Sequence, residues 1–507
     1  MITAKMIANV EQMGGNGSVS KTDLQTLEKL TVEFADELAL LGVKVTALED
    51  DMQVVKEDVA GLKKDVDGIK TYMKNGGMDK VKLSGDILVR NYGLNVDDLV
   101  VRDANGNELY RRGEDNRHRT ETMLRLQLDA QIDENVTARA RWNMIGNYGN
   151  ERVVDANGNV LVDRMNGNEW HGGNKRTGEV EVAYIQIKDL FSFGGDFKFG
   201  RDWFQHGHGF VIHNYMDAIN YTKRCGDVDM AFNVFFDRNN DVLNNDADYY
   251  NIWNLNADYS TKGHDLYLGF YYNDRNVARG NVDADNKKDM RIEFGASGKL
   301  SNNNDKVKYD LGLVYSNRED AKFENGQAKD EKGILGHVAV KYDDQKQLTA
   351  KLAYTWADDE SCANINNSVE NSNRYHDGDE TIFEDLYLAN MAMGNGQDFR
   401  FYNLSDIKLE LGYTLKDNDK HSFRLAYDHI NNKDDNKPNT LSVQAAAING
   451  NADYSKDLEA NIITFEYTYK LAENTRLRLG FQNSKTEAKD MPDIKANLYY
   501  TEIYSRF

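Results

Sequence analysis

"LRLQLDAQIDENVTARARWNM", residues 124–144, holds two alternating segments joined by three polar residues. Leu124, Leu126, Leu128, Ala130 and Ile132 alternate with Arg125, Gln127, Asp129 and Gln131. After Asp133-Glu134-Asn135 the rhythm resumes, with Val136, Ala138, Ala140, Trp142 and Met144 set against Thr137, Arg139, Arg141 and Asn143. Period-two alternation describes strands with one apolar and one polar face, here joined by a tight turn. The polar face carries charge, and the apolar face is unbroken. A soluble sandwich buries apolar inner faces. This pattern fits the inverse case, in which the apolar face meets lipid and the charged face lines a water-filled barrel.

Composition agrees. The chain has 507 residues and only two prolines, Pro438 and Pro492, in keeping with extensive strand pairing. Mean hydropathy is −0.70, and no apolar run approaches the roughly 18 residues of a spanning helix. A barrel escapes that criterion because half of each strand faces water. The net charge of −21 argues against nucleic acid as a partner. "MITAKMIANV" lacks the basic and apolar regions of a signal peptide, so an exported protein would be represented here by a mature or trimmed chain.

Residues 20–77 follow a different period. Leu24, Leu27, Thr31, Phe34, Leu38, Leu41, Val45, Leu48, Met52, Val55, Val59, Leu62, Val66, Ile69 and Met73 are spaced alternately by three and four. Sustained heptads predict a coiled coil, opened by Ser20 with Asp23 and closed by Asn75-Gly76-Gly77. At 1.5 Å per residue the rod would be roughly 75 Å long. Such a rod needs partners, and Leu27, Phe34, Leu38, Leu41, Val45, Leu48, Val55, Leu62 and Ile69 are the expected oligomerisation residues. Valine at several first positions of the heptads leans towards a dimer.

From residue 78 the apolar comb recurs to the C-terminus, for example at Val228–Phe236, Leu266–Tyr272, Tyr309–Tyr315, Leu348–Trp356, Ile407–Tyr413 and Ile463–Tyr469. Short connections such as "DEN" (133–135), "RCGD" (224–227) and "DDQKQ" (343–347) alternate with long ones near 93–120, 145–179, 274–288, 317–333, 358–404 and 431–458. Segregation of short turns from long loops describes an all-β transmembrane antiparallel barrel of about 16–18 strands, with eighteen the best count. Sixteen would follow if the 196–224 hairpin belonged partly to a loop. An even count puts both barrel ends on the short-turn, periplasmic side. Cys225 and Cys362 then lie at opposite ends, separated by a belt about 25 Å tall. A disulfide needs Cα atoms within about 7 Å, so the two should not pair within one chain.

The stalk segment "LEKLTVEFADELALLGVKVTALEDDMQVVKEDV" followed by "DKVKLSGDILVR" resembles the junction of OmpM-type porins, the outer-membrane tethers of diderm Firmicutes. The resemblance covers residues 20–507 and implies a homotrimeric barrel in outer-membrane lipid. It also implies a periplasmic coiled coil and a peptidoglycan-binding N-terminal S-layer homology domain. Residues 1–19 would be the remnant of that domain and a linker, so peptidoglycan would be a partner only through the missing part. The terminal Phe507 is similar to a barrel assembly signal, although Ser505 stands where an aromatic is common.

Two functions follow from these readings. One is a porin passing small hydrophilic solutes and ions. The alternative is a purely structural tether or adhesin with a closed barrel. Lys82, Arg90, Arg125, Arg139, Arg141, Arg424, Arg476 and Arg478 share the polar comb on strands that closure brings near one another. They form an expected basic pore-lining wall, offset in part by Asp86, Asp129 and Asp428. The 202–217 segment, with Asp202 and Asp217, is the expected acidic constriction loop opposite it. The alternative for the wall is that its bases are paired with loop carboxylates.

Weaker patterns carry less. "DANGN" at 103–107 and 155–159 places its glycine fourth and not sixth, so it reads as two hairpin turns and not as EF-hand loops. His206 and His208 in "QHGHG" could share a face and bind metal, but no carboxylate or cysteine cluster accompanies them, and a loop role is preferred. Nothing singles out a nucleophile, so no catalytic residue, enzymatic activity, metal or cofactor is expected.

Overall fold

The computed structural model describes residues 81–96, 99–102, 108–112, 115–149, 152–154, 160–163, 175–240, 247–275, 287–301, 304–324, 327–359, 403–416, 418–437, 457–487 and 493–507, together with six residues before them. The chain divides into two units, Met1–Lys80 and Val81–Phe507. In the first unit Gln25, Lys29, Val59, Leu62, Lys63 and Val66 are described, and each is helical. Leu62 is exposed there. The other stalk positions, Leu27, Phe34, Leu38, Leu41, Val45, Leu48, Val55 and Ile69, lie outside the described residues, as do residues 1–19.

The second unit is a ring of antiparallel strands. Its members are β1 (Val81–Val96), β4 (Asp115–Asp133), β5 (Val136–Gly149), β8 (Lys175–Lys188), β9 (Asp196–Gln205), β10 (His213–Cys225), β11 (Val228–Asn240), β12 (Ala247–Thr261) and β13 (His264–Arg275). The ring continues through β14 (Lys287–Ser301), β15 (Asn304–Glu324), β16 (Gln327–Asp343), β17 (Leu348–Ala357), β18 (Leu404–Thr414), β19 (His421–Asn432), β20 (Glu459–Ala472), β21 (Thr475–Glu487) and β22 (Ile494–Arg506). These make an 18-stranded sheet, and β22 closes it on β1 in the register Arg90↔Glu502 and Asp86↔Arg506. Beyond Arg506, Phe507 exchanges backbone hydrogen bonds with Gly85 at 2.9 and 3.0 Å, so the last residue extends the closing seam. The outward side chains there are Tyr499, Ile503 and Phe507, while Tyr504 is buried, which explains the phase of the C-terminal motif.

The sheet is inside out relative to a soluble barrel. Leu83, Ile87, Trp142, Leu255, Phe294, Leu352 and Leu409 are exposed, Leu352 at 56 %, whereas Arg90, Arg125, Glu293, Asp428 and Glu502 on the opposite face are almost fully buried. That is the opening comb, repeated around the ring. The opening segment itself forms the expected hairpin, with Leu128↔Ala140, Asp129↔Arg139 and Gln127↔Arg141 in register.

Short and long connections segregate as expected, with two differences. The region near 93–120 is largely strand, because β1 and β4 pair out to Val96↔Asp115. Residues 317–333 are not a loop: β15 and β16 stay paired as far as Glu324↔Gln327. The alternating polarity simply fades there, since a hairpin rising beyond an apolar belt has no lipid face to keep. Two small hairpins, β2 (Leu99–Arg102) with β3 (Glu108–Arg112) and β6 (Arg152–Val154) with β7 (Val160–Asp163), flank the two "DANGN" stretches. Cys225 ends β10 at a short turn and is free and exposed; Cys362 lies outside the described residues.

Candidate functional site

The 196–224 hairpin builds the site. β8 pairs with β9 only as far as Ala183↔Arg201, and β10 pairs with β11 only as far as Asp217↔Phe236. β9 and β10 nevertheless remain paired with each other up to Gln205↔His213. Their neighbours continue past this point with other partners, β8 with β5 to Asn147↔Lys175 and β11 with β12 to Asn240↔Ala247. The top of the hairpin, residues 202–216, has therefore left the wall on both sides. Gly200 lies at the departure with φ +127, where a Cβ would fall 2.2 Å from the Ala183 carbonyl oxygen. No L side chain suits that backbone or that space.

The freed hairpin is a finger that packs against inward-facing residues of the wall. Tyr215 accepts a hydrogen bond from the Arg141 guanidinium on β5, and its ring lies 5.3 Å from that cation. Trp203 packs edge-on against Tyr215 and His213. At the tip, His206 Nε2 meets Asp258 Oδ1 of β12 at 3.1 Å, and its Nδ1 lies 3.6 Å from Glu293 Oε2 of β14. Tyr271 of β13 donates to Glu293 at 3.0 Å. His208 Nε2 meets Asp310 Oδ1 of β15 at 2.7 Å, while its Nδ1 bonds the Tyr267 hydroxyl of β13. Gly207 between them has φ +51, and a Cβ there would strike the Tyr267 ring at 2.2 Å. Beyond them Phe210, Val211 and Ile212 join a buried apolar cluster that includes Phe235, Val314, Leu335, Leu404 and Ile430.

Burial alone would lower the pKa of His206. The hydrogen bonds and charges of Asp258 and Glu293 overcome that effect and push it up to about 9. The tip is thus cationic at neutral pH. The expected acidic constriction loop is corrected accordingly: the acids are on the wall, and the finger carries the counter-charge. Asp202 lies on β9 at the base of the finger, and Asp217 lies on β10 where that strand still pairs with β11. Asp202 is paired with Lys198 at 2.6 Å. Asp217 is on the outer face, 3.6 Å from Arg201, and so does not face the lumen.

The basic residues do gather, on β1, β4, β5, β19 and β21, but each arginine is matched by a carboxylate of the wall. Arg90 bonds Glu502 and Arg125 bonds Asp86, the Nε atoms donating at 2.8 Å in both. Arg139 meets Asp129 at 2.5 Å, and Arg141 meets Glu181 at 2.7 Å. Arg424 bridges Glu410 and Glu466, both at 2.9 Å. Arg476 approaches Glu502, and Arg478 approaches Glu466, each at 3.6 Å. Lys82 is exposed, in register with Asp129. Among the described residues the wall is a lattice of alternating charge, with carboxylates of neighbouring strands beside its arginines. Among the arginines of this arc Arg139 is the most open, its side chain 39 % exposed.

The opposite wall was not picked out from sequence. It carries an amide ladder, Asn220 to Asn233 to Asn254, linked by hydrogen bonds of 2.6 Å. Beside it stand Asp258, Glu293 and Asp310. The inward parity of these positions was available from the combs containing Leu255, Phe294 and Leu311. What the sequence did not supply was that the histidines of the 202–217 segment, and not its aspartates, meet them.

No family model matches the chain, and no curated protein matches it. Solved structures do. OccAB1 of Acinetobacter baumannii superposes with a TM-score of 0.51 at 11 % identity, over 84 % of this chain and 97 % of that one. A doubly substituted OccD1 (OprD) of Pseudomonas aeruginosa gives 0.50 at 12 % identity, over 84 % and 96 %. At such identities the likeness is one of fold: this chain shares the closed 18-stranded barrel of those proteins.

Proposed function

We propose that the protein is an outer-membrane porin that passes small hydrophilic solutes and ions through a lumen narrowed by the 202–216 finger. The carrying observation is the inverted sheet: charged and amide side chains on the inner face, an exposed apolar comb on the outer. Burying that many charges inside a barrel without water would cost several kcal/mol per ion, which pairing repays only where its geometry is excellent. The lattice of paired charges and the cationic finger give solutes a polar, structured path. OprD, whose fold the chain shares, is described as an outer-membrane protein. The chain's own location in the outer membrane is part of this reading.

The finer reading keeps the resemblance to OmpM-type porins. The heptads of residues 20–77 would form a periplasmic stalk, and the native protein would be a homotrimer. One feature of the barrel favours association. The row Ala140↔Ala183↔Arg201↔Asp217 crosses the outer face of β5, β8, β9 and β10. It presents two small residues and an ion pair where neighbouring strands offer large apolar ones. A charge facing lipid costs about 2–4 kcal/mol near the bilayer centre, so this patch suits contact with another copy.

Reconstitution in liposomes tests the reading. Swelling in small sugars is expected at a rate that falls with solute size, and the detergent-solubilised protein should have the mass of a trimer. A folded barrel that admits no solute would leave the structural tether or adhesin, and a monomeric mass would remove the trimer.

A further inference from the structure

We propose that His208, Asp310 and His337 form a binding site for a divalent transition metal of the zinc class, which locks the finger to the barrel wall. The three residues come from three segments: the finger tip, β15 and β16. Each offers one ligand atom, and these atoms all lie within 4.8 Å of one another. Zinc at about 2.0–2.2 Å from imidazole nitrogen and carboxylate oxygen sets ligand atoms roughly 3.3 Å apart. Side-chain rotations of little more than an ångström close that gap. Two imidazoles and a carboxylate are a borderline-soft set that selects zinc, cobalt or nickel over calcium or magnesium.

The surroundings are those of a metal site. Each ligand's other polar atom is held by a separate group: His208 Nδ1 by the Tyr267 hydroxyl, His337 Nδ1 by Thr355 Oγ1 at 2.8 Å, and Asp310 Oδ2 by Lys341 Nζ at 2.8 Å. Such outer contacts fix imidazole orientation and direct the remaining atoms at one point. They leave His208 Nε2, His337 Nε2 and Asp310 Oδ1 as the converging donors. The rings of His208 and His337 stand 5.3 Å apart, and His337 is 2 % exposed. His208 Nε2 and Asp310 Oδ1 stand 2.7 Å apart, so an ion between them takes the place of their direct contact. Ligands bind the ion deprotonated, any proton going to solvent, and the fourth position remains for water. Because one ligand is on the finger and two are on the wall, occupancy fixes the finger.

The test uses the full-length, untagged chain, folded in detergent and stripped with chelator. Zinc titration by calorimetry and cobalt titration by visible absorption are expected to give one ion per chain. His337→Gln and Asp310→Asn should each weaken binding at least tenfold. Thr355→Val should weaken it about tenfold, with recovery in Thr355→Ser. Absence of saturable binding to the wild-type chain would overturn the site, as would unchanged affinity in both His337→Gln and Asp310→Asn. Stoichiometry is read without any current, so binding by a non-conducting barrel would uphold the site and count only against the porin reading.

Discussion

The two sides of the lumen solve the same problem differently. On the arc from β19 through β22 and β1 to β5, charges are neutralised between neighbouring strands, as in Arg90–Glu502 and Arg125–Asp86. On the arc from β12 to β16, Asp258, Glu293 and Asp310 are met by histidines of a finger that has crossed from β9 and β10. The first arrangement is part of the wall and forms with the strand register. The second is a separate element laid against the wall. Wall pairs should therefore govern stability, and finger contacts should govern passage.

The largest expected effect is at the closing seam. Arg90 and Glu502 are both fully buried and sit opposite each other between the first and last strands. Removing one partner of a buried pair leaves the other charge in low dielectric. Glu502→Gln is expected to destabilise the barrel by about 3 kcal/mol, read as a lower urea midpoint in detergent. An unchanged midpoint would mean that the seam is held by its backbone alone.

Next comes selectivity. Replacing Arg139 and Arg141 by glutamine leaves Asp129 and Glu181 without their present counter-ions. The Arg139–Asp129 pair is partly open to solvent and its loss should cost about 1 kcal/mol or below, whereas Glu181 is 2 % exposed, so loss of Arg141 should cost more, up to about 3 kcal/mol. The reversal potential in a salt gradient should move towards cations because low-dielectric walls focus the released field. A potential that does not move would show that the arc is neutral to passing ions.

The smallest effect on stability is expected at the finger. His206→Gln loses the charge held by Asp258 and Glu293 but leaves every strand pairing intact. The urea midpoint should change less than in Glu502→Gln, while single-channel current becomes noisier as the finger moves. A midpoint loss equal to that of Glu502→Gln would break the distinction between wall and finger.

Much of this was legible in sequence, for a physical reason. A barrel in lipid must keep strict parity on both faces, so Leu124–Met144 alone fixes inside and outside for two strands and their turn. The same parity placed Arg90, Arg125, Arg139, Arg141, Arg424, Arg476 and Arg478 on the inner face. Their partners were partly visible too, since Asp86 and Asp129 lie on adjacent combs. The finger's place was legible, since the 202–217 segment was the expected constriction loop, but its chemistry was not, because Asp202 and Asp217 suggested an acidic element and nothing local records that His206 and His208 carry its contacts. Nor could spacing reveal that His208 meets a carboxylate on β15. That contact depends on which chord of the ring the hairpin follows.

Single-channel recording in a planar bilayer, comparing the wild-type chain with a variant whose residues 206–212 are replaced by Asn-Gly, tests the central claim most directly. The account predicts discrete ohmic steps from the wild type and larger steps from the shortened finger. Folded barrels that carry no current in either form, or equal steps from both, would contradict it.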